Sequence, residues 1–375
     1  MSIKIFACGD IVNSTANQKF VNYELIKVIE KADLSICNFE APIKTGTQPI
    51  LKAGPNIFQS KESIKYLKEA GFDVCSLANN HIYDFGEEGL RTTIEEIKNV
   101  NLEYVGAGLN FESAYQEKVF DIQNTRIGLI AGCEAEFGYL SENENRGGYA
   151  WLNHFLIEDK IRKLKTSVDI IILIAHAGAE EIDVPLPEWR EKYKRFCDLG
   201  VDILIGHHPH VPQGFERYKN SLIFYSLGNF YFDTGSFENK EDDSYSLLIE
   251  IDNNKISDFE ILYTKKINGS VKMFKKNEVN FSLDRLNELL IPSFYNNYIK
   301  NIVIELYRKR YVNYYQGAVC LIDNKNIILG IIKHLIKMLI FRNSDTKKGL
   351  LLLHNIRIDS HRYVVQRALS LLYEK

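Results

Sequence analysis

Three histidines lie within a stretch of four residues in this 375-residue chain, in the segment Gly206-His207-His208-Pro209-His210. The chain has 9 histidines in all, and imidazole is the commonest transition-metal ligand in proteins. The segment follows the strand-like run 201–205, and alternate side chains of a strand share a face, so two of the rings are expected to point the same way. The spacing predicts a metal site, against the simpler alternative of a polar loop with incidental histidines.

Four further polar clusters also follow apolar, strand-like runs. Because ligands in open α/β sheets gather at the carboxyl ends of strands, all five clusters are expected to converge. Taken singly each has a simpler explanation, such as a turn cap or a hydrogen-bonded core histidine. The four clusters are Gly9-Asp10 after 3–8, Asn38-Phe39-Glu40 after 34–37, Asn79-Asn80-His81 after 74–77, and His176 after 170–175.

The predicted ligands combine carboxylate, amide and imidazole groups. This mixture favours Mn, Fe, Zn or Co over an all-oxygen Ca or Mg site or a thiolate zinc site. It is too large a set for one tetrahedral ion. Two divalent transition-metal ions about 3.5–4 Å apart, sharing a carboxylate and activating a water as the nucleophile, would use it fully.

The elements that must position these residues alternate between strands and helices up to about residue 265. Continuously apolar, β-branched runs predict buried strands, and segments with helical spacing and charged outer faces predict helices. This alternation predicts a layered α/β core. Strands are expected at 3–8, 34–38, 73–77, 126–132, 170–175, 203–205 and 222–226, a hairpin at 245–251 and 257–264, and helices at 20–31, 60–70, 87–99, 156–166 and 187–199.

The charge distribution and composition predict two domains, residues 1–265 and a basic, mainly helical region 266–375. Residues 261–375 contain 20 lysines and arginines against 8 acidic residues, and residues 1–260 contain the other 26 against 41. An acidic part suits cation capture, whereas a basic tail could face an anionic partner or a membrane surface. Helices are expected at 283–290 and 294–307. The segment 327–341 is interpreted as a core helix, with an interfacial amphipathic helix as the alternative.

The cysteines and the N-terminus bear on the compartment. The 6 cysteines are scattered without Cys-x-x-Cys spacing, which favours free thiols and a reducing environment. Residues 1–6 run directly into a strand-like stretch with no long apolar signal segment. We therefore expect a cytoplasmic protein, with a possible peripheral position at the inner face of the membrane, and no nucleic-acid partner.

The motifs resemble, in order from about residue 3 to 235, those of the bacterial capsule-synthesis CapA and poly-γ-glutamate PgsA family. This family is similar to the calcineurin-like metallophosphoesterases, so the resemblance implies two packed mixed β-sheets flanked by helices and a di-metal hydrolase site. The motifs are Asn38-Phe39-Glu40-Ala41-Pro42, Asn79-Asn80-His81 with Asp84-Phe85-Gly86, His176-Ala177-Gly178, Gly206-His207-His208-Pro209-His210 and Tyr225-Ser226-Leu227-Gly228-Asn229-Phe230.

The resemblance also implies residue roles. Glu40 stands where related enzymes bridge both ions, and His81 matches the histidine that contacts substrate and can protonate a leaving oxygen. The implied metal ligands are Asp10, Glu40, Asn80, His176, His208 and His210. Substrate-binding or ligand-supporting roles are expected for Asn38, Asp84, Glu180, His207 and Asn229.

Several of these roles have alternatives. Asp84 could orient His81 or cap the helix that starts near residue 87, Glu180 could be an exposed loop residue, and Asn229 could be an ordinary turn residue. The wider superfamily usually has a histidine where this chain has Val12. The ion held by Asp10 would therefore lack one expected ligand, and occupancy of its site is an open question. Asn13 is the candidate substitute ligand.

Three functions are compatible with this sequence. The first is a metal-dependent phosphoesterase that acts on a phosphorylated small molecule or an anionic surface-polymer precursor. The second is a hydrolase or transferase acting on an amide polymer such as poly-γ-glutamate, because a Lewis acid polarises a carbonyl as it does a phosphoryl group. The third is a non-catalytic polymer-binding assembly factor whose basic tail contacts capsule-assembly proteins or a membrane.

Overall fold

The computed structural model describes residues 2–238, 240–319 and 345–374. The chain forms two compact units, one of Met1–Ile50 with Asn56–Phe294 and one of Leu51–Pro55 with Tyr295–Lys375. The first compact unit thus ends at Phe294, beyond the predicted boundary at residue 265. The predicted assignment of distinct roles to 1–265 and 266–375 stays a prediction.

The larger sheet of the first unit has eight strands and mixed directions. β1 pairs in parallel with β2 and β14 and antiparallel with β15, and the strand order is β17-β16-β15-β1-β2-β3-β4. Its strands, numbered in chain order through the whole protein, are β1 (Ile3–Val12), β2 (Leu34–Phe39), β3 (Val74–Ser76), β4 (Glu103–Val105), β14 (Asn229–Phe232), β15 (Asp242–Asp252), β16 (Lys255–Ile267) and β17 (Ser270–Met273).

The second sheet has six strands in the order β12-β13-β11-β10-β7-β6, parallel in the middle and antiparallel at both edges. A small third sheet has the order β5-β9-β8. The strands are β5 (Ala107–Gly108), β6 (Lys118–Ile122), β7 (Thr125–Cys133), β8 (Tyr139–Leu140), β9 (Gly148–Ala150), β10 (Ile170–His176), β11 (Ile203–His207), β12 (Phe215–Tyr218) and β13 (Ser221–Phe224).

Helices flank these sheets, and each has one apolar face. α5 packs against β7 and β10, and α6 packs against β11. The helices of the first unit are α1 (Tyr23–Ile29), α2 (Glu62–Glu69), α3 (Gly86–Asn99), α4 (Phe111–Ala114), α5 (Phe155–Lys165), α6 (Pro187–Leu199) and α7 (Leu283–Glu288).

The two large sheets share one hydrophobic core. Ile5 and Ile36 of the first sheet belong to the same buried cluster as Ile172 and Ile203 of the second. β10 is buried along its whole length, because its other side chains, such as Leu173, are also shielded from solvent. Continuous apolar strands are what a sheet covered on both faces requires. The predicted fold class, mixed α/β with two packed mixed sheets flanked by helices, is confirmed.

The described C-terminal residues of the second unit are mainly helical, whereas its short segment Leu51–Pro55 is not. Side chains such as Val303, Tyr311 and Val364 are buried within it. In the parts of the chain that the structure describes, no helix is both long and apolar enough to cross a membrane. The predicted segment 327–341 lies outside the described residues. The helices are α8 (Pro292–Leu306), a π-helical turn (Tyr307–Tyr311), α9 (Val312–Val319), α10 (Asp345–Arg357) and α11 (Asp359–Tyr373).

The elements predicted within the described residues are present, but several strands end later than expected. β1 continues through Asp10 to Val12, and β10 and β11 include His176 and His207 as their last residues. The reason is that these polar residues still pair with neighbouring strands: Asp10 is paired with Asn38 and Asn229 across the sheet. Asp10, Asn38, His176 and His207 therefore lie within the strands themselves, whereas the other predicted ligands lie in the loops that follow: Glu40, Asn80, His208 and His210.

A glycine allows a close backbone approach directly before the histidine cluster. A Cβ atom at Gly206 would lie 2.0 Å from the carbonyl oxygen of Tyr225, far inside van der Waals contact. Strand β11 can therefore lie beside the Tyr225 carbonyl only because residue 206 has no side chain.

We expect Gly206→Ala to lower the free energy of unfolding by about 3 kcal/mol or more, because two backbone segments would have to separate. Urea denaturation measures this loss. Gly46→Ala is the matched control, since a Cβ there meets nothing within 4 Å, and it should change stability by less than about 0.5 kcal/mol. Equal stabilities of the two variants would contradict the close approach.

Candidate metal centre

Polar side chains from both large sheets meet at the carboxyl ends of the parallel strands. Asp10 and Asn38 lie near the ends of β1 and β2, Glu40 follows β2, and His176 ends β10. All four have an exposed fraction of 0%. Residues so far apart in sequence converge because parallel strands all end at the same edge of their sheet.

His176 is at the centre of one half of this cluster. Its Nε2 lies 3.1 Å from Asn80 Oδ1, 3.1 Å from His208 Nδ1 and 3.8 Å from Glu40 Oε1. Two donor atoms that each lie about 2.1 Å from a common ion are themselves about 3.0–3.4 Å apart. The separations of the two imidazoles and the amide are thus those of ligands that share one ion.

His210 and Asp10 form the other half. His210 Nδ1 lies 3.5 Å from Asp10 Oδ2, and His210 Nε2 lies 3.7 Å from Glu40 Oε1. Glu40 Oε1 is therefore within 4 Å of a histidine on each side, His176 and His210. His207 Nδ1 is 2.9 Å from Asp10 Oδ1, which places His207 against a predicted ligand rather than among the ligands.

Among the residues that the structure describes, four buried acceptor atoms of this cluster have no hydrogen-bond partner: Asp10 Oδ2, Asn38 Oδ1 and both carboxylate oxygens of Glu40. Each such atom costs about 1–3 kcal/mol if nothing compensates it. One ligand atom each from Asp10, Glu40 and His176 lie within 4.8 Å of one another. Unpaired oxygens that face imidazole nitrogens in a buried pocket are the donor set of a divalent transition ion, so these residues fit a metal.

The electrostatics of the pocket lead to the same conclusion. Burial raises the pKa of Glu40 well above its usual value of 4.5, and the negative charges of Asp10 and nearby glutamates raise it further. Burial lowers the pKa of His176 well below 6.5 and that of His208 to about 4. Burial is the largest influence on the pKa of Asp10 and opposes its ionisation, but the hydrogen bonds with His207 and Asn38 and the charges of His207 and His210 together outweigh it and lower the pKa of that carboxyl. Neutral imidazoles are the form that binds metals, and a cation would stabilise the ionised Glu40.

The backbone of the histidine segment is unusual. His208 has a φ of 92° and His210 a φ of 61°, in the left-handed region that non-glycine residues rarely adopt. The expectation that two rings point the same way as alternate residues of a strand is wrong, because β11 ends at His207. The left-handed turns bring His208 and His210 to the cluster instead. Backbone strain of this kind costs about 1–3 kcal/mol per residue and is typical of functional sites.

His81 is oriented by Asp84. The distance from His81 Nδ1 to Asp84 Oδ2 is 2.7 Å, and the same oxygen accepts the Ile57 amide at 2.8 Å. The N-cap residue of the following helix α3, which starts at Gly86, is Phe85 rather than Asp84. Of the two alternatives for Asp84, orientation of His81 is therefore the one observed.

The predicted roles of Asn229 and Asn13 differ from their observed contacts. Asn229 lies in β14, so it is not a turn residue, and its amide bonds with His210 and Asp242. Both amide atoms of Asn13 are bonded to the backbone of Asn17, which leaves no ligand atom for the proposed substitution. Val12 packs in an apolar cluster with Ala41, Ile57 and Phe232.

Glu134 and Glu136 also belong to the site and were missed. Glu136 Oε1 accepts from Asn80 Nδ2 at 3.1 Å, which turns Asn80 Oδ1 towards His176. Glu134 Oε1 accepts the amide of Gly178 and lies 3.7 Å from His208 Nε2. Both follow β7, so they form a sixth polar cluster at a strand end, and the rule used for the other five could have found them.

Glu180, one of the predicted residues, is partly buried, and its charge affects the pKa of both Glu40 and His208.

Comparison with known proteins assigns the family. The family model "Bacterial capsule synthesis protein PGA_cap" matches residues 4–234, which is more than half of the chain. The chain belongs to this family.

The chain is 35% identical over 220 residues to "Capsule biosynthesis protein CapA" of Bacillus anthracis, a match covering 57% of this chain and 54% of the relative. It is 31% identical over 233 residues to "PGA biosynthesis protein CapA" of Bacillus subtilis, covering 60% and 61%. The chain thus spans less than two thirds of either relative.

Solved structures give weaker likenesses to this PGA_cap family member. One is a putative 5′-nucleotidase from Staphylococcus aureus, with 16% identity, a TM-score of 0.48 and coverage of 77% of this chain and 58% of that one. Another is a calcineurin-like phosphoesterase from Bacillus subtilis, with 15% identity, a TM-score of 0.37 and coverage of 79% and 97%.

Replacement of Glu40 by Gln should stabilise the metal-free protein and weaken metal binding. The pKa of Glu40 in the folded protein is raised above 4.5. The wild type therefore loses free energy of unfolding as the pH rises from about 4.5 through the folded-state pKa. Glu40→Gln has no carboxyl group at this position and does not show this loss. At pH 8 with chelator, we expect the variant to be more stable by about 1–3 kcal/mol in urea denaturation.

Glu158→Gln is the control with the opposite sign. A hydrogen bond with Arg195 lowers the pKa of Glu158 to about 2, so its contribution to stability is present above its unfolded pKa and is lost as the pH falls. This variant should be less stable than the wild type at pH 8. A Glu40→Gln variant that is also destabilised at pH 8 would show that Glu40 is compensated without a cation.

Proposed function

We propose that this chain is a metal-dependent phosphoesterase of surface-polymer biosynthesis that uses water as its nucleophile. The observation that carries the proposal is the group of unpartnered, fully buried oxygens of Asp10, Asn38 and Glu40 beside His176, His208 and His210. Burying such acceptors is unfavourable unless a cation binds them. Buried ionisable groups with strongly shifted pKa values are typical of catalytic or metal-binding sites.

Two divalent ions, Mn, Fe, Zn or Co, fit this arrangement best. Asn80, His176 and His208 would hold one, Asp10 and His210 the other, and Glu40 would contact both. When bound, such ions would polarise a phosphoryl oxygen and lower the pKa of an attacking water. Glu136 would keep the amide oxygen of Asn80 turned towards its ion.

His81 is proposed as the proton donor to the leaving oxygen. Its Nδ1 lies 2.7 Å from Asp84 Oδ2, and Nε2 is the ring nitrogen that would transfer the proton. The carboxylate would stabilise the protonated ring and keep it in one orientation. His81 is 9% exposed, so a small part of its side chain is accessible from solvent.

The substrate class follows from the family and remains a proposal. Relatives named for capsule biosynthesis and PGA biosynthesis support a phosphorylated precursor of an anionic surface polymer, or a related phosphorylated small molecule. The excess of basic residues in 261–375 supports contact with capsule-assembly proteins or with the inner face of a membrane, and hence a cytoplasmic position.

A second candidate reaction keeps the same centre but cleaves an amide. It is favoured by the relative named for PGA biosynthesis, because a Lewis acid would polarise a peptide-like carbonyl equally well. Incubation with poly-γ-glutamate, followed by gel analysis of chain length, separates the two candidates. Shortened polymer would favour amide cleavage, whereas unchanged polymer together with phosphate-ester turnover would favour the phosphoesterase. An assembly factor without catalysis would leave both substrates intact.

His81→Ala should lower kcat for phenyl phosphate esters by about 10²–10⁴-fold while Mn²⁺ binding stays unchanged, because a phenolate is a poor leaving group without a proton. The loss should be at least tenfold smaller for p-nitrophenyl esters, whose leaving group needs no protonation. Steady-state kinetics with Mn²⁺ and calorimetric Mn²⁺ titration measure the two effects.

Glu40→Gln is the comparison variant for this experiment, since it should lose both Mn²⁺ binding and turnover. An equal loss for both leaving groups would remove His81 from the role of proton donor. No phosphate-ester turnover by the wild type with Mn, Fe, Zn or Co would reject the proposed reaction.

A further inference from the structure

A hydrogen-bonded chain connects Asp242 through Asn229 to His210. Asp242 Oδ2 accepts from Asn229 Nδ2 at 2.7 Å, and Asn229 Oδ1 lies 2.9 Å from His210 Nδ1. The other ring nitrogen of His210, Nε2, lies 3.7 Å from Glu40 Oε1. We propose that Asn229, locked by Asp242, is a positioning residue that fixes the tautomer of His210 and so presents the Nε2 lone pair to the metal centre.

The direction of this chain follows from donor and acceptor chemistry. An ionised carboxylate only accepts, so the amide group of Asn229 that faces Asp242 must be its NH₂. The amide oxygen then faces His210, and because a carbonyl oxygen cannot donate, the hydrogen must be on His210 Nδ1. A neutral imidazole with Nδ1–H has its lone pair on Nε2, on the side of Glu40.

The backbone holds Asn229 in place. Asn229 is the register partner of Asp10 in the parallel pair β1–β14, and the Asp10 amide bonds to the carbonyl of Gly228 at 3.1 Å. The same pair of strands thus carries a predicted ligand and the residue that would orient another. Asn229 is completely buried, which makes rotation of its side chain unfavourable.

Apolar rings occupy other sides of His210. The rings of Phe232 and Phe237 have centroids 5.3 Å and 5.6 Å from that of His210. Asp10 Oδ2, at 3.5 Å from Nδ1, is farther than Asn229 Oδ1 and is one of the oxygens assigned to a metal. Asn229 is therefore the acceptor best placed for Nδ1–H when an ion is bound.

This inference rests on the proposed function only in treating His210 as a metal ligand, so its test avoids turnover. ¹⁵N–¹H correlation spectra of histidine rings report the tautomer in metal-free protein, with the His210 signals assigned from His210→Gln. The spectra are recorded at pH 8.5, above the pKa of about 6 to which burial raises Asp242. Calorimetric titration with Mn²⁺ alone reports affinity.

The wild type should show His210 with Nδ1–H. In Asn229→Leu the signals should shift towards Nε2–H, and Mn²⁺ affinity should fall by about 10–100-fold. The double variant Asn229→Asp with Asp242→Asn keeps the direction of the chain, because the new amide donates to the new carboxylate, and it should retain the tautomer and bind Mn²⁺ within about threefold of wild type.

Asp243→Ala is the matched control, since this neighbouring carboxylate bonds to Asn280 instead and should leave both measurements unchanged. Wild-type tautomer and affinity in Asn229→Leu would overturn the proposal, and so would a double variant that binds no better than Asn229→Leu. If Asn229→Leu does not fold, the comparison of Asp242→Ala with Asp243→Ala decides: about tenfold weaker binding in the first supports the proposal, and equal binding overturns it.

Discussion

The burial of unpaired oxygens at Asp10 and Glu40 is the constraint on which the rest of the site depends. A folded protein of ordinary stability has only about 5–15 kcal/mol in reserve, so several uncompensated acceptors are a large fraction of it. The surrounding residues reduce this cost in part, because Asn38 and His207 bond to the other carboxylate oxygen of Asp10. The remaining cost is what a bound cation would offset. Affinity for the ion and instability without it therefore have the same origin.

The two large sheets hold this centre in a fixed arrangement. Both sheets contribute to one continuous core, so the strand ends cannot move independently. Close approach at Gly206 and left-handed turns at His208 and His210 bring backbone and imidazoles nearer than regular strands allow. Amide side chains do the fine positioning: Asn38, Asn80 and Asn229 each link a carboxylate to a histidine.

Much of the architecture could be predicted from the sequence. Buried parallel strands are continuously apolar, so the runs that became β1, β2, β10 and β11 were recognisable, and the polar residues at their ends followed. The short strands β8 and β9 were not predicted, because two or three residues outside a longer apolar run give no period to detect. Glu134 and Glu136 were within reach of the strand-end rule. The orientations of Asp84 and Asn229 were not, because hydrogen-bond geometry depends on tertiary placement rather than on local sequence.

The pairing of β1 with β14 has a consequence for the order of events during synthesis. Asp10 is made before its partner Asn229, and the segment between them is more than half of the given chain. Contacts this distant in sequence form slowly, because a long loop must close before they give any stabilisation. A nascent chain that ends before β14 has Asp10 and Glu40 but not the strand that carries Asn229. Capture of an ion is therefore expected to mark completion of this fold rather than to start it.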